Sequence, residues 1–158
     1  MERNRSKEGT FQIVVSAIIE NKEGKILVTQ RHHSLDHRGG EWEVVSGRIN
    51  QGEKSMQVAL AREVREEIGI EVEILFPFRT FYFERGRRKI PTFGINFHCL
   101  YHGDNNAIKT NGEIKAYRWV TPIEAYRLIA DSDMHQAISS YDTQKHPYSV
   151  LVKRIPRN

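Results

Sequence analysis

The chain holds a single cysteine, Cys99, among its 158 residues, so no intrachain disulfide can staple the fold. That excludes a disulfide-framed secreted module and fits a reducing compartment. Cys99 sits in an apolar, strand-like run and is expected to be a buried, inert thiol. Long hydrophobic runs are missing too. Ile13 to Ile19 is interrupted by Ser16 and is far too short to cross a bilayer. The stretch Met1 to Glu8 is charged and lacks the apolar segment and small-residue cleavage site of a secretory leader, which points to a cytoplasmic location and no membrane partner. Internal repeats and low-complexity segments are also lacking.

Hydrophobic residues make up 39% of the chain and charged residues 28%, a composition that suits a soluble globular protein. The length allows one domain with a core and is short for two, so one domain over 1–158 is expected, with a core of about 11–141 and a basic tail at 146–158. A formal charge of +4 is compatible with an anionic ligand but is too small to decide anything. Two local clusters are denser: Arg31 to Arg38, which contains His32, His33 and His37, and Arg85 to Lys89. Each could meet phosphates, although a basic turn is more often simply solvated.

Phe11 to Ile19 and Ile26 to Thr29, joined by the turn residues Asn21 to Gly24, read as a β-hairpin. Trp42 to Val45 reads as a short strand, with a loop from Ser46 to Lys54. Ser55 can cap a helix over Met56 to Ile68, and Gly69 is placed to end it. Val72 to Phe83, broken or bent near Pro77, and Pro91 to His102 read as a pair of strands around a turn at Arg85 to Lys89. A strand at Ala116 to Val120, helices from Pro122 to about Ala130 and from Met134 to Tyr141, and a strand-like Tyr148 to Val152 complete the order. Strands with one inserted helix, and helices gathered at the end, point to an α+β sandwich rather than alternating βαβ units.

Each residue of a helix advances by about 100°, so Glu63, Glu66 and Glu67 share one arc, beside an apolar stripe of Leu60, Val64 and Ile68. Glutamates three and four apart repel, and a cation would offset that cost. Hard divalent ions such as Mg²⁺ or Mn²⁺ take oxygen ligands and work with substrate phosphates, so the cluster suits diphosphate hydrolysis. Arg62 can salt-bridge one of these carboxylates and fix its rotamer. Spacing alone, however, is equally served by a solvated acidic face.

The wider pattern separates the two readings. Gly47 to Glu53, followed by Arg62-Glu63-Val64-Arg65-Glu66-Glu67-Ile68-Gly69-Ile70, resembles the Nudix hydrolase signature. In one respect it departs: eight residues, Lys54 to Ala61, separate Glu53 from Arg62 where the family has seven. An insertion at Lys54 accounts for this and leaves Glu53 at the edge of the site. The resemblance implies a Nudix-type α/β/α sandwich with a mixed β-sheet. It also implies catalytic roles for Glu63, Glu66, Glu67 and Arg62, and a metal held by Glu63, Glu66, Glu67, the Ser46 carbonyl and a late loop acid, Glu113. Gly47 and Gly52 would shape the loop, where glycine permits close approach of phosphate.

The family acts on nucleoside diphosphate linkages, so the resemblance implies hydrolysis of a nucleoside-triphosphate-like small molecule to a monophosphate and pyrophosphate. Candidate phosphate clamps are Arg31, Arg38, Arg79 and Arg87. One of Phe81, Tyr82 and Phe83, with Tyr82 the choice, can stack on a base, although core packing is the commoner fate of a strand aromatic. His32, His33 and His37 are candidates for a general base. The stretch before Gly47 lacks the Pro-Gln-Gly-Gly typical of RNA 5′-end pyrophosphohydrolases, which disfavours a nucleic-acid partner. It is more similar to the branch of dATP and dihydroneopterin-triphosphate pyrophosphohydrolases. Two other readings are an ADP-sugar or dinucleotide polyphosphate pyrophosphatase and a catalytically silent nucleotide- or RNA-binding module. A homodimer stays open.

Overall fold

Alternation along β1 (Gln12–Glu20) sets the layers of the molecule. Val15, Ala17 and Ile19 point into one buried cluster, and Ile18 points into another. The first cluster is closed by Ala59, Leu60, Val64 and Ile68 of α1 (Met56–Ile68). The second is closed by Ala125 of α2 (Pro122–Leu128) and by Ala137, Ile138 and Tyr141 of α3 (Ser132–Lys145). Helices therefore cover both faces of one sheet, the expected α/β/α sandwich. The computed structural model describes residues 9–145. The strand-like Tyr148 to Val152 and the basic tail lie outside the described residues.

The sheet is mixed. β1 runs parallel to β6 (Ile90–Leu100), while β2 (Ile26–Arg31), β3 (Trp42–Glu43), β4 (Val45–Arg48), β5 (Glu73–Arg85) and β7 (Ile114–Val120) make antiparallel pairs. β1 and β2 are paired only at Glu20 and Ile26, where Asn21 closes the hairpin by accepting the N–H groups of Glu23 and Lys25. Beyond that point β1 turns to β4 and β6, and β2 turns to β3 and β7. The sheet consequently opens toward Arg31 and Gly47, and the chemistry is gathered at this opening.

One expectation needs correction. Ser46 to Arg48 continues as β4 rather than as loop, because its backbone completes a ladder with Val14 to Ser16 of β1. β5 runs unbroken through Pro77 but is irregular there, as expected of a strand broken or bent at that point: its register shifts on either side, and a proline on an edge strand forfeits no interior ladder bond.

α1 begins where the Ser55 hydroxyl accepts the Val58 N–H and ends at Gly69, whose φ of 67° is the left-handed conformation that glycine adopts cheaply. Leu60, Val64 and Ile68 are fully buried, which turns the glutamate arc away from the core and toward the opening of the sheet. Cys99 is buried in the α1-side cluster, as expected, and burial pushes its thiol up to about 12.

Candidate active site

Arg62 is the hub of the α1 carboxylates. Its Nε donates to Glu53 Oε1 at 2.6 Å, and its Nη1 donates to Glu63 Oε1 at 2.8 Å and to Glu66 Oε2 at 3.0 Å. Nη2 reaches the Arg48 carbonyl at 2.9 Å and Glu53 Oε2 at 3.2 Å. Three carboxylates around one guanidinium hold its proton more firmly than in a free arginine, the bond to Glu53 contributing most. Glu53 is thereby a full member of the cluster, not an edge residue. Its other oxygen accepts the Asn50 N–H at 2.6 Å, so the loop carrying the extra residue is pinned at both ends.

Glu63 lies against Gly47. A Cβ on Gly47 would fall on the Glu63 carboxylate, so glycine is required there for the helix acid to reach the strand. Burial raises the Glu63 pKa, and Arg62 opposes the rise. Glu67 is more isolated: burial, then the charges of Glu43, Glu63 and Glu113, push its pKa up to about 8, with Arg31 pulling the other way. Four acids from three segments, β3, α1 and the loop before β7, thus lie within electrostatic range of one another.

Glu113 is brought there by a strap across the C-terminal end of α1. The Lys109 N–H donates to the Ile68 carbonyl at 3.0 Å, and the Asn111 N–H donates to the Glu67 carbonyl at 3.0 Å. The Asn111 side chain then accepts the Glu113 N–H at 3.0 Å, and the Glu113 carbonyl accepts the His32 N–H at 2.7 Å. Among the described residues, no group of three or more His, Cys, Asp or Glu side chains is drawn together at metal-ligand spacing, and Glu63 and Glu66 are paired with Arg62.

Sequence reasoning passed over Glu43. It is buried on β3, where burial raises its pKa and Arg31 opposes the rise through a 3.1 Å bond. The available signal was an acid placed between Trp42 and Val44 in a strand otherwise apolar.

Of the expected phosphate clamps, only Arg31 lies close enough to influence Glu67. Arg38 is committed to Glu41 at 2.7 Å, with Asp131 at 3.6 Å and Glu43 at 4.0 Å. Arg79 is committed to Asp133 at 2.6 Å and to Asn96 and Gln136, fastening β5 to α3. Arg87 is exposed on the hairpin turn.

The aromatic run does not pack in the core. Tyr82 and Phe83 are exposed, and Phe81 is half-buried with its ring over Gly94, because β5 is an edge strand and its bonds to α3 stop at Arg79. His32, His33 and His37 lie exposed in the loop after β2, with His33 bonded to Lys115 and His32 to Ser34.

Residues 10–141 match the family described as NUDIX domain. The chain is 36% identical over 112 residues to the CTP pyrophosphohydrolase of Escherichia coli, a match covering 71% of this chain and 77% of that protein. It is 31% identical over 121 residues to the nucleoside triphosphatase NudI of Escherichia coli, covering 69% of this chain and 81% of NudI. The crystal structure of a MutT protein from Methanosarcina mazei superposes with a TM-score of 0.74 at 25% identity, covering 89% of this chain and 99% of that one.

Proposed function

Because the chain belongs to the Nudix hydrolase family, we propose that it hydrolyses a nucleoside triphosphate to the monophosphate and pyrophosphate, with Mg²⁺ or Mn²⁺ as cofactor. The observation that carries this reading is the burial of Glu67 within electrostatic range of Glu43, Glu63 and Glu113, on the helix whose Glu63 carboxylate is admitted by Gly47. Support for a nucleoside triphosphate, rather than a pterin or a dinucleotide, comes from the two relatives named for CTP and nucleoside triphosphates.

Nudix hydrolases generally use divalent metals, and these residues fit a hard cation. The donors are all oxygen, and the crowded Glu67 carboxylate needs positive charge to ionise at neutral pH. Glu63, Glu66, Glu67, Glu113 and the Ser46 carbonyl would hold it. When bound, the ion neutralises phosphate charge and makes water more acidic. Arg62 keeps Glu63 and Glu66 on one side of α1, restricting the rotamers they can adopt. Arg31 reaches the same region as a cation for phosphate, while Glu43 holds its guanidinium in place. Gly47 leaves room for the Glu63 carboxylate against the backbone of β4.

The test is pyrophosphate release from CTP and a panel of other nucleoside triphosphates with Mg²⁺, for the parent and for Glu66→Gln and Glu67→Gln. Both substitutions should lower turnover by roughly a hundredfold or more while circular dichroism stays unchanged. Full activity in both variants, or release of orthophosphate in place of pyrophosphate, would overturn the reading.

A further inference from the structure

The outer half of the β5–β6 hairpin carries exposed aromatic and basic side chains that lie outside the Arg62 carboxylate network. Tyr82 stands opposite Phe93 across the strand pair, and Phe93 stands opposite Ile13 on β1. The rings of Phe11, Phe93 and Tyr82 form one continuous strip, with centroids 5.8 Å apart for Phe11 and Phe93 and 5.3 Å apart for Phe93 and Tyr82. These rings are 55%, 50% and 54% exposed in the order Phe11, Phe93, Tyr82. Large aromatics left this open on adjacent strands are unusual on a surface with nothing to bind.

Beside the strip lies a shallow cavity of about 480 Å³ lined by Phe11, Gln12, Arg48, Asn50 and Gln51 among others. Its amides can pair with the polar edge of a ring that stacks on Phe11. Gln12 Oε1 is buried with no hydrogen-bond partner among the described residues.

The turn that joins the two strands presents Arg85, Arg87, Arg88 and Lys89, all exposed, with one neighbouring acid, Glu84. None of these four cations is in a salt bridge among the described residues. Arg85 is also within electrostatic range of Arg48 and Arg31, so like charges gather here rather than cancel.

We propose that this hairpin, together with Phe11, is a docking surface for single-stranded nucleic acid, with bases stacked on the Phe11–Phe93–Tyr82 strip and phosphates held by the basic turn. Aromatic faces accept any base, and arginines tracking the backbone supply the remaining attraction. A second copy of the chain is a poorer occupant, because its turn would bring four cations toward four. A lipid surface is poorer too, because the turn from Arg85 to Lys89 contains no apolar residue to insert.

The test is fluorescence anisotropy of a labelled oligouridylate with the full chain in EDTA, so that binding is read without hydrolysis and its failure is separate from failure of the proposed activity. Binding should weaken with salt. A Tyr82→Ala/Phe93→Ala variant should raise Kd by roughly tenfold or more while keeping the salt slope. Arg87→Ala/Arg88→Ala should weaken binding and reduce the slope of log K against log salt by roughly 1.4. The proposal is overturned if the oligouridylate does not bind, if a duplex of the same length binds as tightly, or if the aromatic variant binds like the parent. It is also overturned if the aromatic variant instead abolishes binding to phosphatidylserine vesicles, or if it dissociates a dimer seen by sedimentation.

Discussion

Arg62 Nε and Glu53 Oε1 stand 2.6 Å apart even though one residue more than the family spacing lies between them. The extra residue is absorbed in the exposed loop at Lys54, between the Asn50–Glu53 turn and the Ser55 cap. Glu53→Gln should therefore lower kcat by roughly tenfold to a hundredfold, as loss of a partner that orients a ligand does. Deleting Lys54 should leave kcat within a few-fold of the parent. Steady-state pyrophosphate release measures both, and a deletion as damaging as Glu53→Gln would show that the longer loop is itself required.

Gly47→Ala places a methyl group on the Glu63 carboxylate. The strand backbone can accommodate alanine, so the helix acid must move instead. We expect a folded protein with turnover reduced by roughly tenfold or more, read from kcat alongside near-UV circular dichroism. Parent-level turnover would mean that Glu63 has no need of this position.

Asn111 links two acids, since its N–H bonds the Glu67 carbonyl and its side chain accepts the Glu113 N–H. Asn111→Ala should raise the Mg²⁺ concentration needed for half-maximal activity by roughly tenfold. Asn111→Asp keeps the acceptor oxygen and should restore most of that loss. Equal metal dependence in all three proteins would remove Asn111 from the positioning of Glu113.

Arg79 and Asp133 fasten β5 to α3 through a 2.6 Å bond. Arg79→Ala should cost about 1–3 kcal/mol of stability by leaving the buried Asn96 Oδ1 without its donor and Asp133 without its cation, while Asn96 keeps its bond to Ser16. Chemical denaturation of the single and double variants should show the two sites coupled, whereas strict additivity would show the bond to be inconsequential.

The Cys99 thiol, pushed up to about 12 by burial, should resist Ellman's reagent in the native chain at pH 8 and react once guanidinium unfolds it. The sign of the linked stability follows. A pKa raised on folding means that the folded chain keeps a proton the unfolded chain releases, so the contribution is complete below about 8.5. It is lost as pH rises from there toward the folded value. Denaturation midpoints of the parent should fall more steeply over that window than those of Cys99→Ala; identical slopes would contradict it.

The elements whose residues interact with near neighbours were legible in the chain. Ser55, the Leu60, Val64 and Ile68 stripe, and Gly69 specify α1 by local capping and period, and the structure keeps the same bounds, Met56–Ile68. The Arg62 to Gly69 motif likewise carried the family assignment without coordinates. Less legible was whatever depends on a partner distant in sequence. Ser46 to Arg48 became a strand because β1 was there to pair with it, and the aromatics of β5 stayed outside because that strand lies at the edge of the sheet.

The sequence by itself determined which helix bears the acids and which way that helix faces, since side-chain period and burial are local matters. Only the tertiary structure decided which groups meet those acids. It seated Glu53 on Arg62 despite the longer loop, brought Glu43 and Glu113 within electrostatic range of Glu67, and turned Arg38 and Arg79 from candidate clamps into fastenings. The reason is physical: a charge acts on whatever lies within a few ångströms, and those distances are set by the opening between β1 and β2, which no local pattern encodes.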